Sequence, residues 1–341
     1  MAYLLLAFDP FWAPIVAVVL IYTLHQCLAL RQDPLRLSAL YQHKDPGPTY
    51  PHLPFLQGLD FVFENARNIV RRRFTAGVHQ RFEQYGKTHV SHIFWGKMVN
   101  TIDPENLEAV MTIDCDSWTI IPQRALLVVK VFGRGIFANE GSDWKHSRYL
   151  IRRGMTALAY RPDVLEQHLQ GLLEGVRTHE GNAFDFAAHA FRYSFDAAKD
   201  LLIGRQPVRP DTESPSNNAR SQFADDFANL VKIAKVLTLL HRRIPYLANI
   251  LFWNTFIPAK TRVFSTVDFQ TNKALQESHQ KHQSDKEDSC LIQNLALLTN
   301  DVSRIRSEAL NMLLGGRDSV GIALSETFVP HSSAHQLTDP L

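Results

Sequence analysis

The sequence predicts a mainly α fold with a small β part. Two long stretches carry apolar residues at helical spacing, residues 184–204 (FDFAAHAFRYSFDAAKDLLIG) and 305–328 (IRSEALNMLLGGRDSVGIALSETF). A short hairpin is legible at 89–94 and 98–102, which flank Trp95-Gly96-Lys97. The chain has 341 residues, 45% of them hydrophobic, which is material for one large domain or two smaller ones.

Taken in order, residues 2–30 read AYLLLAFDPFWAPIVAVVLIYTLHQCLAL, with Asp9 as the one acid and no Lys or Arg. This is long enough to cross a bilayer, which takes roughly 20 apolar residues. Trp12 and Tyr22 suit the membrane interfaces. No basic leader with a small-residue cleavage site is present, so residues 1–30 are expected to be an uncleaved transmembrane anchor. A buried N-terminal helix is the other reading. Arg31, Arg36 and Lys44 follow the span, which places the body on the cytosolic side. Residues 31–58 form a hinge whose later part, KDPGPTYPHLPFLQG, is stiffened by proline.

Residues 61–85 are expected to be helical and basic, with Arg67, Arg71, Arg72, Arg73 and Arg81. A solvated helix face is the preferred account of that run, and contact with anionic lipid is the alternative. His89 and His92 lack a third ligand nearby and read as ordinary strand residues. Asp103-Pro104 opens a helix, Asp as N-cap and Pro at the first position.

In residues 133–154, Ser142 or Asp143 is expected to cap a helix on which Trp144, Arg148 and Arg152 share one face. An indole N–H beside a guanidinium suits a buried carboxylate or other anion. An ordinary surface cation–π pair has the same spacing. The helix of 184–204 looks like core and stops at Gly204. Residues 205–221 form an exposed loop, 223–240 and 247–257 two further helices, and 279–289 a charged loop with solvated His279 and His282. Residues 291–300 lead into the last helix.

That last helix is unusual at its centre. Gly315 and Gly316 each cost about 1 kcal/mol against Ala in a helix interior, and Asp318 and Ser319 follow at once. One reading is a widened groove: glycine admits close approach to the backbone, and the Ser hydroxyl bonds back to the preceding turn. The other is a Gly-Gly helix stop with a second helix after it. Residues 329–341 have no periodicity.

Global charge excludes a nucleic-acid binder: Lys+Arg 36 against Asp+Glu 34 gives +2. Cys27, Cys115 and Cys290 form no CxxC pair, which argues against a zinc site or disulfide framework and for a reducing compartment.

The anchor, the hinge, the hairpin, WKHSR at 144–148 and GGRDSV at 315–320, in that order, resemble the cytochrome P-450 family of haem-thiolate monooxygenases. The first motif is similar to the family's W-x-x-x-R on the C helix, and the second to [A/G]-G-x-[D/E]-[T/S] on the I helix. GIFANEGSDWKHSRYLIRRGM, FRYSFDAAKDLLIGRQP and LNMLLGGRDSVGIALSETF resemble the fungal alkane and fatty-acid ω-hydroxylases. The resemblance implies the N-terminal portion of the P-450 fold, ending just after the I helix. Residues 59–328 would form an incomplete P-450 domain and 329–341 an unrelated tail.

The resemblance also implies chemistry. Haem is the implied cofactor, and its axial thiolate favours O–O cleavage. Trp144 and Arg148 would hold a propionate, and Gly315 and Gly316 would leave room for dioxygen and substrate. Asp318 and Ser319 would relay protons, with Ser319 where the family usually has Thr. A long-chain apolar substrate is expected around residues 113–131, 223–240 and Met312. The implied partners are an NADPH–cytochrome reductase and membrane lipid, at the endoplasmic reticulum. The E-x-x-R and F-x-x-G-x-x-x-C-x-G motifs of the family are not found, so the chain as written is expected to lack the axial cysteine and to be inactive. A non-enzymatic, membrane-anchored helical fragment that binds lipid or a partner is the alternative.

Overall fold

The computed structural model describes residues 47–53, 58–71, 73–93, 96–119, 125–158, 161–179, 184–205, 217–241, 253–280 and 289–336. The anchor expected over 1–30, the hairpin residue Trp95, most of the 205–221 loop, His282 and residues 337–341 lie outside them. Among the described residues no helix is long and apolar enough to cross a membrane. The expected mainly α character with one small sheet is what the structure has. The chain divides into two compact units, up to Trp118 and from Thr119.

The first unit holds α1 (Leu59–Val70), α2 (Phe74–Tyr85), β1 (Thr88–Ile93), β2 (Gly96–Thr101) and α3 (Pro104–Glu108). β1 and β2 are antiparallel, with His92 opposite Lys97 and Ile93 opposite Gly96, so Gly96 and Lys97 belong to the strand rather than the turn. The basic stretch expected as one helix is two. α1 ends at Val70 and α2 starts at Phe74, and Arg81 of α2 lies against α1. There it donates to Glu64 and Asn65 at 2.9 Å each and lies 4.9 Å over the Phe61 ring. Arg81 is therefore buried, not part of a solvated face.

The hinge does not run free into this unit. Thr49 bridges Val90 in parallel, and His52 sits between Asp60 and the His92 amide. Because His52 Nε2 accepts from that amide at 2.8 Å, Nδ1 carries the proton and donates to Asp60 at 2.9 Å. Gly58 turns the chain into α1 at φ +97°, and a Cβ there would lie 2.3 Å from the His92 carbonyl oxygen. Asp103 caps α3 as expected, accepting from the Glu105 amide at 3.1 Å.

The second unit is helical: α4 (Ala125–Phe132), α5 (Gly141–Ala157), α6 (Pro162–Arg177), α7 (Phe186–Leu202), α8 (Asn217–His241), α9 (Trp253–Gln280), α10 (Leu291–Ala296) and α11 (Val302–Gln336). Its core gathers Phe132, Leu150, Phe195, Phe227, Leu230, Leu291, Leu295, Ile305, Leu310 and Leu313, each essentially inaccessible to water. Full burial of one such side chain stabilises by about 1.5–3 kcal/mol. α7 and α11 pack antiparallel, since Gly316 meets Ala198, Gly321 meets Phe191 and Phe328 meets Phe186. Asp185 caps α7, and Gly204 ends it at φ +94°, as its sequence predicts.

Two expected boundaries move. α5 starts at Gly141 with Glu140 at the cap position, so neither Ser142 nor Asp143 caps it. Of the helix expected over 247–257, residues 247–252 lie outside the described residues, and the rest belongs to α9, which continues through Pro258 to Gln280. Pro258 falls near the start of α9, where a missing N–H removes one bond and does not stop the helix.

Candidate functional site

α11 is continuous through Gly315-Gly316, which removes the helix-stop reading. Its first half is enclosed nearly all round, with Ile305, Ala309, Leu310 and Leu313 at 0% exposure. Val320, Ile322 and Phe328, in the second half, are exposed, although the periodicity of 305–328 assigns Val320 and Phe328 to core.

The two adjacent glycines have different neighbours. A Cβ on Gly316 would make ordinary contact with Ala198 of α7 at 3.4 Å, so Gly316 is a helix-packing position rather than an open one. Gly315 points about 100° away around the helix. A Cβ there would press on the Phe137 ring at 3.2 Å. Ser319 lies one turn further along the same side. Its hydroxyl donates to the Gly315 carbonyl at 2.6 Å, the back-bond its position predicts.

Asp318 turns elsewhere. With Arg317, 3.8 Å away, it lines a cavity of about 290 Å³ with Phe191, Ala228, Val231, Lys232 and Ile322. Among the described residues no hydrogen bond joins Asp318 to Ser319, so the acid and the alcohol are adjacent in sequence but separate in contact.

Trp144 and Arg148 lie on the exposed side of α5, with the guanidinium 5.3 Å from the indole centroid. Among the described residues no carboxylate pairs with Arg148. α5 is tied to α11 on its other side: Arg304 donates to Ser147 Oγ at 2.8 Å and to the Asp143 carbonyl at 3.1 Å. Trp144 and Arg148 are thus carried by a helix fixed to the one that carries Gly315 and Ser319.

The residues that make this connection are not legible as site residues from composition. Residues 133–139 lie on α11, and α11 meets them with three buried polar side chains, Ser307, Glu308 and Asn311. The Ile136 amide donates to Glu308 Oε2 at 2.9 Å and the Phe137 amide to Asn311 Oδ1 at 3.3 Å. Gly133, at φ +84°, leaves no room for a Cβ against Ser307, and Gly135 leaves none against Asn311. Burial pushes the Glu308 carboxyl above the usual range, against the pull of the Ser147 hydroxyl, the Arg304 charge and the Ile136 amide. Arg304 Nε approaches Glu308 Oε1 to 3.1 Å as an ion pair without hydrogen-bond alignment. The available signal was spacing: Arg304, Glu308, Asn311, Gly315 and Ser319 succeed one another by three or four residues along one face.

The segments expected to contact substrate divide. Phe223, Phe227 and Leu230 of α8 pack into the core against Phe132 and Phe195, whereas Ala228, Val231 and Lys232 of the same helix line the cavity beside Asp318. Ile113 belongs to the first unit and is exposed. Met312 is half-buried on α11 and packs against the core. A second cavity, about 270 Å³, lies by Asp200, Arg205, Gln270 and Cys290 and contains none of the candidate residues. Among the described residues no cluster of His, Cys, Asp and Glu can hold a metal ion.

The family model described as Cytochrome P450 matches residues 54–329. Cytochrome P450 monooxygenase himC of Aspergillus japonicus is 27% identical over 303 residues, 87% of this chain and 53% of its own length. Cytochrome P450 52A4 of Candida maltosa is 30% identical over 239 residues, 68% of this chain and 43% of its own. The chain spans about half the length of the relatives it matches. A solved structure, retinoic acid bound cyanobacterial CYP120A1, shares the fold with a TM-score of 0.53 at 16% identity, over 84% of this chain and 61% of that one.

Proposed function

The chain belongs to the cytochrome P450 family, and from that premise we propose that it forms the substrate-facing part of a haem-dependent monooxygenase acting on a long-chain alkane or fatty acid. The observation that carries this reading is a guanidinium stacked on an indole without an acid partner among the described residues. Arg148 and Trp144 offer it, with the indole N–H, on a helix fixed to the one that carries Gly315 and Ser319. The donors suit a haem propionate, and the half-exposed Phe137 ring that lies over Gly315 is what a flat ligand would have to displace.

Bound there, haem would activate dioxygen with electrons from NADPH delivered by a cytochrome reductase. The chain's own residues would do the rest. Trp144 and Arg148 fix the orientation of the group through its carboxylate. Gly315 would let a flat ligand approach the α11 backbone once the Phe137 ring over it turns aside. Ser319 Oγ, whose proton is engaged by the Gly315 carbonyl, keeps its lone pairs for an incoming donor. Asp318, which lines the neighbouring cavity about 60° around the helix from Gly315, would take protons from solvent there. The pair then works through an intervening water or a rotation of Ser319, whose χ1 is freer than that of the threonine usual in the family. Residues 1–30 would anchor the protein in the endoplasmic reticulum membrane with its body in the cytosol.

The thiolate is not supplied by the cysteines described. Cys290 is buried at the start of α10 under Gly204, its thiol pushed up by burial, and Cys115 sits in a short turn of the first unit. These observations favour a second reading for the 341 residues by themselves, a membrane-anchored fragment that binds lipid or a partner without catalysis. The experiment is the reduced carbon monoxide difference spectrum of the purified chain with added haem, beside NADPH- and reductase-dependent hydroxylation of dodecane and dodecanoate. The expected result is no thiolate-type band and no product. A thiolate-type band would overturn the cysteine argument.

A further inference from the structure

We infer that Glu308 and Asn311 are positioning residues that fasten residues 133–139 to α11 and so hold the Phe137 ring over Gly315. Three contacts within little more than one turn of α11 make the fastening. Gly133 lies against Ser307, the Ile136 amide is held by the Glu308 carboxylate, and the Phe137 amide by the Asn311 side-chain oxygen. Glu308 and Asn311 are both 0% exposed, so each is fixed in turn by its own partners. Asn311 Nδ2 donates to the Ser307 carbonyl at 2.8 Å, and Glu308 faces Arg304. A carboxylate buried in an apolar helix is costly unless its hydrogen bonds are met. Its retention here serves the amide of a loop 172 positions away in the sequence.

The geometry also says why this loop is held at two successive amides. A single bond leaves the peptide plane free to swing, whereas consecutive N–H groups bound to residues three apart on one helix fix both the height and the direction of the segment. Phe137 then leaves the loop at the level of Gly315, about 6 Å along the helix from Asn311, and one further turn before Ser319. The residue is 38% exposed, so its place depends in large part on the backbone that carries it. For the groove of the proposed function, the consequence is that Glu308 and Asn311, which touch no ligand, set the width beside Gly315.

The test uses the full 341-residue chain in detergent micelles, with 4-fluorophenylalanine at position 137 and hydrogen exchange read on residues 133–139. Glu308→Ala is expected to speed exchange of the Ile136 and Phe137 amides by about tenfold to a hundredfold, the worth of a hydrogen bond to a charged group. It is also expected to move the fluorine resonance to its solvent-exposed position. Glu308→Gln keeps an acceptor oxygen and should restore both signals, which a loss of general stability would not do. Exchange in α9 should be unchanged in both variants. If Glu308→Ala proves too unstable to purify, Asn311→Ala gives the same reading for the Phe137 amide. Unchanged fluorine and exchange signals in Glu308→Ala or Asn311→Ala overturn the inference, as does equal loss in Glu308→Gln. Neither readout involves haem or substrate, so failure here is separable from failure of the monooxygenase reading.

Discussion

Replacing each glycine of α11 by alanine separates the helix-packing face from the groove face. All three positions gain about 1 kcal/mol of helix propensity from the change, so the differences among them report surroundings alone. At Gly321 the new methyl would lie 2.6 Å from Phe191 Cδ1 and 3.0 Å from Cγ. Cγ is next to the backbone, so ring rotation cannot clear it and α7 must shift. Overpacking of this kind costs typically 1–3 kcal/mol, and the 2.6 Å contact puts Gly321 at the upper end. The net loss for Gly321→Ala is then about 2 kcal/mol, or roughly 4–8 °C in Tm for a unit of this size. Gly316→Ala makes ordinary contact with Ala198 at 3.4 Å and should keep its gain. Gly315→Ala meets only the far edge of a half-exposed ring, at 3.2–3.3 Å, and should be neutral to slightly stabilising. The assay is urea and thermal unfolding followed by circular dichroism. A Gly321→Ala protein as stable as the parent would refute the packing of α7 on α11, and a large loss at Gly315 would refute the reading that only the far edge of the Phe137 ring faces it.

Three further outcomes follow from local contacts. Asp185→Ala removes the oxygen that accepts from the Ala187 amide at 3.0 Å, and should cost about 0.5–2 kcal/mol in the same unfolding assay. Burial works to raise the Asp60 carboxyl, but the His52 hydrogen bond and the Leu53 and Phe61 amides outweigh it and hold the group below the ordinary carboxylate range. A depressed folded-state pKa means stability that is complete above the ordinary carboxylate range and lost as pH falls through the lower folded value. Proteolysis within residues 47–53 should therefore accelerate on acidification below that range, and Asp60→Ala should accelerate it at neutral pH. Unchanged cleavage in Asp60→Ala would refute the account. Deletion of residues 1–30 should release the protein only partly from microsomes, because Phe63, Ile69 and Val70 stand exposed beside Arg67 and Arg71 in the first unit. Complete solubility after deletion would count against a second membrane contact.

Local chemistry was the legible part of this sequence. Asp103-Pro104, Gly204 and the periodicity of α7 and α11 announce themselves because a cap, a stop or a buried stripe needs those residue types at those places. Ser319 was legible for the same reason, since its partner lies one turn away. What was not legible depends on which elements meet. Gly315 and Gly316 look alike in sequence, and only the antiparallel crossing of α7 assigns Gly316 to packing. Arg81 reads as one more surface arginine until α2 folds back onto Glu64. Glu308 and Asn311 look like solvent-facing polar residues, and their role appears when residues 133–139 cover them.

The most direct test of the haem-site reading joins this chain, within α11 after Phe328, to the C-terminal half of a relative such as cytochrome P450 52A4 of Candida maltosa. The measurement is the reduced carbon monoxide difference spectrum of that hybrid, with and without Arg148→Ala. The account predicts a thiolate-type band in the hybrid and loss of haem retention in the Arg148→Ala form. A well-folded hybrid with no such band, or one that holds haem equally well without Arg148, would contradict the assignment of Trp144, Arg148 and the Gly315–Ser319 face to the haem site.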